Sequence, residues 1–270
     1  MSGVFLDKKQ KLFKKFSVLE NKKKSVNIYI DQIQKNQYHR NNRDVKIIKM
    51  KRGKTMNNIE RRDAGLPYIS DAEVLEQQKR ARRLTQELNT ADRSDFDKIG
   101  AIVKELLGKS DGAFLNPPFY CDYGFNIEVG KNFYANYNCT ILDVGKVTIG
   151  DNCQLAPNVA IYTAGHPVHP DSRNSAYEYG IPVSIGDNCW IGGNSVICPG
   201  VKIGNNVIIG AGSVVTKDIP DWAIAAGNPC KVIRMITDED RKYYYKNNEF
   251  DEEAWNDLAA RGFAGTENKN

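Results

Sequence analysis

The sequence predicts a mainly β protein: a parallel β-helix of six-residue repeats, with a helical subdomain ahead of it and a loop protruding from it. Three observations carry this. From Ile185 the chain reads IGDNCW, IGGNSV, ICPGVK, IGNNVI, IGAGSV and VTKDIP without a gap. Residues 56–108 instead place apolar residues at helical spacing. The repeat phase also breaks for 24 residues between Ile161 and Ile185.

The hexads come first because they decide the fold. Their first position is always Ile or Val, their second is usually Gly, and their fifth is small or β-branched. The same period appears earlier, in IGDNCQ–LAPNVA from Ile149 and VGKNFY–ANYNCT from Val129. Six is neither the period of a helix nor that of a lone strand. It describes a short strand plus a corner, stacked into a solenoid. The aliphatic residue fills the inside of a triangular prism. Gly or Asn eases the corner, because both tolerate positive φ. Cys139, Cys153 and Cys189 fall at inward positions, where cysteine acts as a small hydrophobe.

Ahead of the coil, SDAEVLEQQKRARRLTQELN begins with Ser70 three residues before Glu73, the signature of a capping box. Val74, Ala81, Leu84 and Leu88 form its apolar stripe, and Asn89 and Thr90 end it. A second helix is expected from Ser94, with Phe96, Ile99, Val103 and Leu106 on one face and Gly108 at the stop in a left-handed conformation. Two short helices cannot make a core alone, so they should pack on the coil. The expected divisions are a flexible basic arm over 1–53, a helical subdomain over 54–110, the coil over 111–234 with its loop at 162–182, and a helical, polar tail over 235–270.

The net charge of +5 hides an asymmetry: residues 1–53 carry +11 and the remainder −6. The arm, with few apolar residues, reads as a solvated tail. Contact with an anionic surface is the sharper alternative, and no nucleic-acid partner is expected of the body. The functional chain could also start at Met50 or Met56. No run approaches the ~18–20 apolar residues of a membrane span, and no secretory pattern follows the early lysines. Six cysteines without CxxC spacing read as reduced thiols in a cytoplasmic protein.

The interruption contains YTAGHPVHP, with two of the three histidines of the chain, His166 and His169. Gly165, Pro167 and Pro170 punctuate it, and loops on rigid scaffolds are where function concentrates. A histidine suits proton transfer near neutral pH. His166, His169 and Asp171 could also be metal ligands. A three-histidine zinc site would have to recruit His39 from the arm, so no metal is expected.

Several blocks carry a resemblance to a known family: RRDAGLPYISDAEVLEQQKRARRL, PPFYCDYGFNIEVGKNFYANYNCTILD, TAGHPVHPDSRN and IGAGSVVTKDIPDWAIAAGNPCKVIR. From about Ile59 to about Tyr245 the chain is similar to the maltose/galactoside O-acetyltransferases, hexapeptide acyltransferases with a left-handed coil. The resemblance implies acetyl transfer from acetyl-CoA to a hydroxyl of a small sugar, and a homotrimer with active sites between subunits. His166 matches the catalytic base, with His169 shaping the loop. Asn136 matches a residue beside the acetyl group. Asp71, Asp122, Tyr134, Asp143 and Glu178 match or neighbour acceptor contacts, and Trp190 could line the acceptor or pantetheine cleft. Gly193 and Ala211 would let backbone approach the pantetheine arm. Thr216, Lys217, Lys231 and Arg234 would face the CoA phosphates. Asp122, Glu178 and Val144 depart from the galactoside branch, and CDYG and EYG resemble the maltose/glucose branch. No matched Ser or Cys acts as nucleophile, so direct transfer in a ternary complex is expected. A non-sugar or amino-sugar acceptor is the first alternative, and a non-catalytic β-helix scaffold is the second.

Overall fold

A computed structural model describes residues 55–263. The expectation for residues 1–53 lies outside them. The coil is a triangular prism with three parallel sheets as its faces. The first face stacks Lys109–Asp111, Ile127–Lys131, Val147–Ile149, Val183–Ile185 and Lys202–Ile203. The second begins at Phe114–Leu115 and runs through Tyr134–Ala135, Gln154–Leu155, Trp190–Ile191, Ile208–Ile209 and Ala223–Ala226 to an antiparallel edge strand, Lys231–Met235. The third stacks Phe119–Cys121, Cys139–Leu142, Ala160–Tyr162, Val196–Ile197 and Val214–Val215. The chain visits the faces in that order on every turn, and this is the β-helix expected from the hexads, left-handed as the family resemblance implies. It starts at Lys109, just before the expected boundary at 111.

The repeat positions do what their chemistry requires. The first-position residues Ile185, Ile191, Ile197, Ile203, Ile209 and Val215 are all buried, as are the fifth-position residues Cys189, Ser195, Val201, Val207, Ser213 and Ile219. Burial of each aliphatic side chain contributes about 1.5–3 kcal/mol. Asparagine supplies the left-handed corner residue: Asn132, Asn152, Asn188 and Asn206 have φ of 55°, 56°, 55° and 58°. Their amides form a ladder along the edge between the first and second faces, at 2.9, 3.0 and 2.9 Å. The second-position glycines answer a different need. Gly130, Gly150, Gly186 and Gly204 are not in the left-handed region. A Cβ there would lie only 2.7, 2.8, 2.8 and 2.6 Å from a backbone nitrogen of the next coil. Glycine at these positions permits stacking, and asparagine turns the corner.

The helical subdomain contains Asn58–Asp63, Ala72–Thr90 and Phe96–Leu106. The cap of Ala72–Thr90 is Asp71, which accepts from the Val74 amide, and not the expected Ser70. Ser70 is spent elsewhere, donating to Glu178. The next helix likewise begins on Asp95 and not Ser94. Phe96 departs from its expected inward face: it is 63% exposed and packs edge-on to Phe114. Gly108 has no left-handed φ; it is small because a side chain would strike the Phe125 carbonyl. The helices pack on the coil through the core that joins Leu88, Ile99 and Leu106 to Leu115 and Phe119. Asn89 locks the junction by donating to the Phe119 carbonyl and accepting from its amide, at 3.0 and 2.8 Å.

After the coil come a 3₁₀ turn (Asp238–Lys242), a hairpin of Tyr243–Tyr245 with Asn248–Glu249, and a helix, Glu252–Ala260. Among the described residues no helix is long and apolar enough to cross a membrane.

Candidate active site

The interruption between Ile161 and Ile185 is a hairpin on the edge between the third and first faces. Ala164–Gly165 pairs antiparallel with Tyr179–Gly180, and the far side of that strand, Tyr177–Glu178, pairs with Tyr68–Ile69 of the helical subdomain. The stem is anchored by buried Thr163, whose hydroxyl donates to the Leu142 carbonyl (2.6 Å) and accepts from the Gly145 amide (2.8 Å). His166 follows Gly165 directly and is exposed. His169 shapes the loop as expected: its Nδ1 accepts from the Asp171 amide at the start of the short helix Pro170–Asn174. Arg173 then ties the chain beyond His166 by donating to the carbonyls of Pro167 (3.3 Å) and Val168 (2.9 Å).

Beside this hairpin the structure gathers carboxylates. Glu178 accepts from the Ser70 hydroxyl. Asp71 caps its helix and accepts from Asn58 Nδ2 (2.8 Å). That bond, with the Val74 amide, holds its carboxyl below the usual range. Asp122 is half-buried, and burial, followed by the nearby charges of Asp143 and Glu178, pushes its carboxyl up to about 6. Asp143 corrects the expectation of an acceptor contact. It is fully buried and accepts from the backbone amides of Asp122 (3.0 Å), Tyr123 (2.8 Å) and Asn126 (3.3 Å). It builds the turn that carries Asp122 and does not face a ligand. Burial raises its carboxyl even against the pull of those amides.

A second group of expected residues lies on another edge, between the second and third faces. Asn136 stands at that corner, and its Oδ1 accepts from the Tyr137 amide (2.8 Å), which leaves the Nδ2 donor as the group it can offer. Backbone bonds stack Asn136 above Ala156, Gly192 and Gly210, a column of small residues flanked by Gly193 and Ala211. Tyr134 and Trp190 belong to the adjoining outward row of the second face, in register through Gln154. Tyr134 stacks on Phe114 and accepts from Asn116 Nδ2 at 2.6 Å. Trp190 is 53% exposed.

The residues expected at CoA are divided in the same way. Thr216 and Lys217 are exposed on the histidine edge, two turns beyond the hairpin, and Lys231 is exposed opposite Ala226 at the other corner. Arg234 is exposed, and its guanidinium is engaged by Asp240, with Nη1–Oδ2 2.8 Å and Nη2–Oδ1 2.7 Å, so a phosphate would compete with that carboxylate. The same pair draws Asp240 down to about 2. Sequence reasoning missed Thr163, Arg173 and Tyr179. Arg173 and Tyr179 act through contacts within the hairpin and Thr163 through contacts to the coil, and no repeat or motif marks them. Among the described residues no group of three or more His, Cys, Asp or Glu side chains is placed to hold a metal ion.

A hexad prism with short helices at its head and a histidine hairpin on one edge is the build of a hexapeptide-repeat transferase. Residues 182–217 match the family described as bacterial transferase hexapeptide (six repeats), and residues 61–112 match the maltose acetyltransferase hexapeptide capping motif. The galactoside O-acetyltransferase of Escherichia coli K12 is 47% identical over 190 residues, covering 70% of this chain and 94% of the relative. A solved galactoside acetyltransferase in complex with coenzyme A superposes with a TM-score of 0.71 at 44% identity, covering 73% of this chain and all of that one. A maltose O-acetyltransferase from Clostridium difficile 630 superposes with a TM-score of 0.67 at 47% identity, over 68% of this chain and all of that one. The chain belongs to the maltose/galactoside O-acetyltransferase family of hexapeptide-repeat transferases, and is an acetyl-CoA-dependent acetyltransferase.

Proposed function

We propose that this enzyme moves the acetyl group of acetyl-CoA to a hydroxyl of a small, maltose- or glucose-like sugar. His166 is the general base. It takes the proton of the acceptor hydroxyl as that oxygen attacks the thioester carbonyl. The new C–O bond forms, the C–S bond breaks, and the proton passes to the departing CoA thiolate. The Nδ2 donor of Asn136 meets the charge that develops on the carbonyl oxygen. Asp71, Asp122 and Glu178 accept hydroxyl hydrogen bonds from the sugar, while Tyr134 and Trp190 offer aromatic faces. Backbone near Gly193 and Ala211 follows the pantetheine arm, and Thr216, Lys217 and Lys231 face the CoA phosphates.

The observation that carries this reading is the three-stranded sheet that holds the His166 hairpin and the cap strand before Asp71 together, beside Asp122. It brings His166 to the same edge as Asp71, Asp122 and Glu178, which supports reading them as a base beside groups that hold a hydroxylated acceptor. The relatives, named for galactoside and maltose, support a sugar as the acceptor. Asn136 and the small-residue column stand on a different edge, so one chain supplies two half-sites. We therefore also propose a homotrimer in which the histidine edge of one copy meets the asparagine edge of the next. The unpaired state of all six cysteines fits a cytoplasmic setting.

The test is thiol release from acetyl-CoA against glucose, maltose, galactosides and amino sugars, for the wild type and His166→Ala. Loss of the base should lower a sugar-dependent rate by about 10²–10⁴. Acetyl-CoA binding without release on any of the neutral sugars would exclude the proposed acceptor.

A further inference from the structure

Tyr179 is the residue on which the approach to His166 rests. It lies on the central strand of the three-stranded sheet, opposite Gly165. Its ring packs against the Gly165 backbone so closely that a Cβ on Gly165 would fall 2.6 Å from Cε2, 2.7 Å from Cζ and 2.8 Å from Oη. Gly165 is the last paired residue before His166, so this contact sets where the chain departs toward the histidine. On the same strand Glu178 takes the Ser70 hydroxyl, and Tyr177–Glu178 pairs with the cap strand Tyr68–Ile69.

The cap strand is itself immobilised. Tyr68 is fully buried, its hydroxyl is 3.5 Å from that of Tyr123, and Arg62 lies 4.5 Å over the Tyr123 ring. The strand under His166 is therefore fastened to a satellite core made with the helical subdomain. On the far side of the hairpin the ties described are local, from Arg173 to the Pro167 and Val168 carbonyls, and Val168 is 92% exposed.

We propose that Tyr179 is a positioning residue for His166, transmitting the rigidity of the capped subdomain to the base through its ring on Gly165. The ring atoms Cε2 and Cζ make the nearest approach to Gly165, so the ring carries this role. The proposal rests on His166 being the base. A base displaced by about 1 Å can lose as much as 10²-fold in rate, so the contact is large enough to read.

The experiment compares kcat and KM for acetyl-CoA in Tyr179→Ala, Tyr179→Phe, His166→Ala and the double variant Tyr179→Ala/His166→Ala, on the best acceptor of the wild type. Thermal melting of each variant confirms folding. Tyr179→Ala should lower kcat about 10–100-fold with KM for acetyl-CoA unchanged. Tyr179→Phe, which keeps the ring, should restore the rate. In the His166→Ala background the tyrosine change should cost nothing more, because there is no base left to misplace. A Tyr179→Ala enzyme within twofold of wild type overturns the proposal, as does a loss that multiplies onto that of His166→Ala or one that Tyr179→Phe shares. If Tyr179→Ala unfolds, the same comparisons are read on Tyr179→Leu, which keeps much of the volume. A fully active His166→Ala enzyme instead removes the base reading, and with it the premise.

Discussion

Asp122 and Asp143 occupy one corner, yet only Asp122 keeps a carboxylate that a ligand can meet. Asp143 holds three backbone amides from inside the fold. Asp143→Ala strands those donors, and each buried donor left without a partner costs about 1–3 kcal/mol. Urea denaturation should show a loss of at least that size. Asp122 responds to pH. Its carboxyl titrates near 6 in the fold against 3.8 for a free one, so the folded state holds a proton that the unfolded chain has released. Stability therefore falls as pH rises from about 4 to about 6, and stays lower above that. Asp122→Asn should flatten this slope and raise stability at pH 8 by no more than about 3 kcal/mol, from about 1.4 kcal/mol per pH unit of displacement. Denaturation at pH 5 and pH 8 measures both. Neither environment could be read from the sequence. The residue types were visible, but burial and the amides around them come from turns distant in the chain. The caps show the same limit: Ser70 and Asp71 both suit a helix start, and the Ser70 partner, Glu178, lies far along the chain.

At the scale of elements, the coil was the most legible part, because a hexad carries its inward positions in its own six residues. Ile203 and Val207 are buried for reasons visible in IGNNVI. What the period concealed was why its glycines are there. Close stacking is a contact between coils, and a local pattern does not distinguish it from a positive φ. Either cause makes Gly→Ala costly, and only a glycine with neither should gain from it. Gly204→Ala places a Cβ 2.6 Å from the Asp221 nitrogen and should cost about 1–3 kcal/mol by overpacking. Gly100→Ala lies within the helix Phe96–Leu106 with nothing within 4 Å. It should gain about 0.5–1 kcal/mol from reduced chain entropy. Calorimetric melting of the two variants compares them directly. The hairpin was legible as an interruption but not as a sheet, since its partner strand Tyr68–Ile69 has two residues and no pattern of its own.

At the scale of the molecule, the candidate site is divided between two edges of one prism. The sequence supplied the residues of both halves through resemblance, but a repeat says nothing about which lateral surface meets which. The division appears only once the coils are in register: His166 leaves the chain between the third and first faces, and Asn136 between the second and third. The most direct test of this account is co-assembly of His166→Ala chains with Asn136→Ala chains, each nearly inactive alone, followed by thiol release from acetyl-CoA with the best sugar. If each site takes its histidine from one copy and its asparagine from the next, random mixing rebuilds about a quarter of the sites, and activity should return to roughly that fraction of wild type. If the mixture shows only the averaged residual activity of the two variants, although mixed trimers have formed, both residues serve a site within one chain and the divided site is wrong.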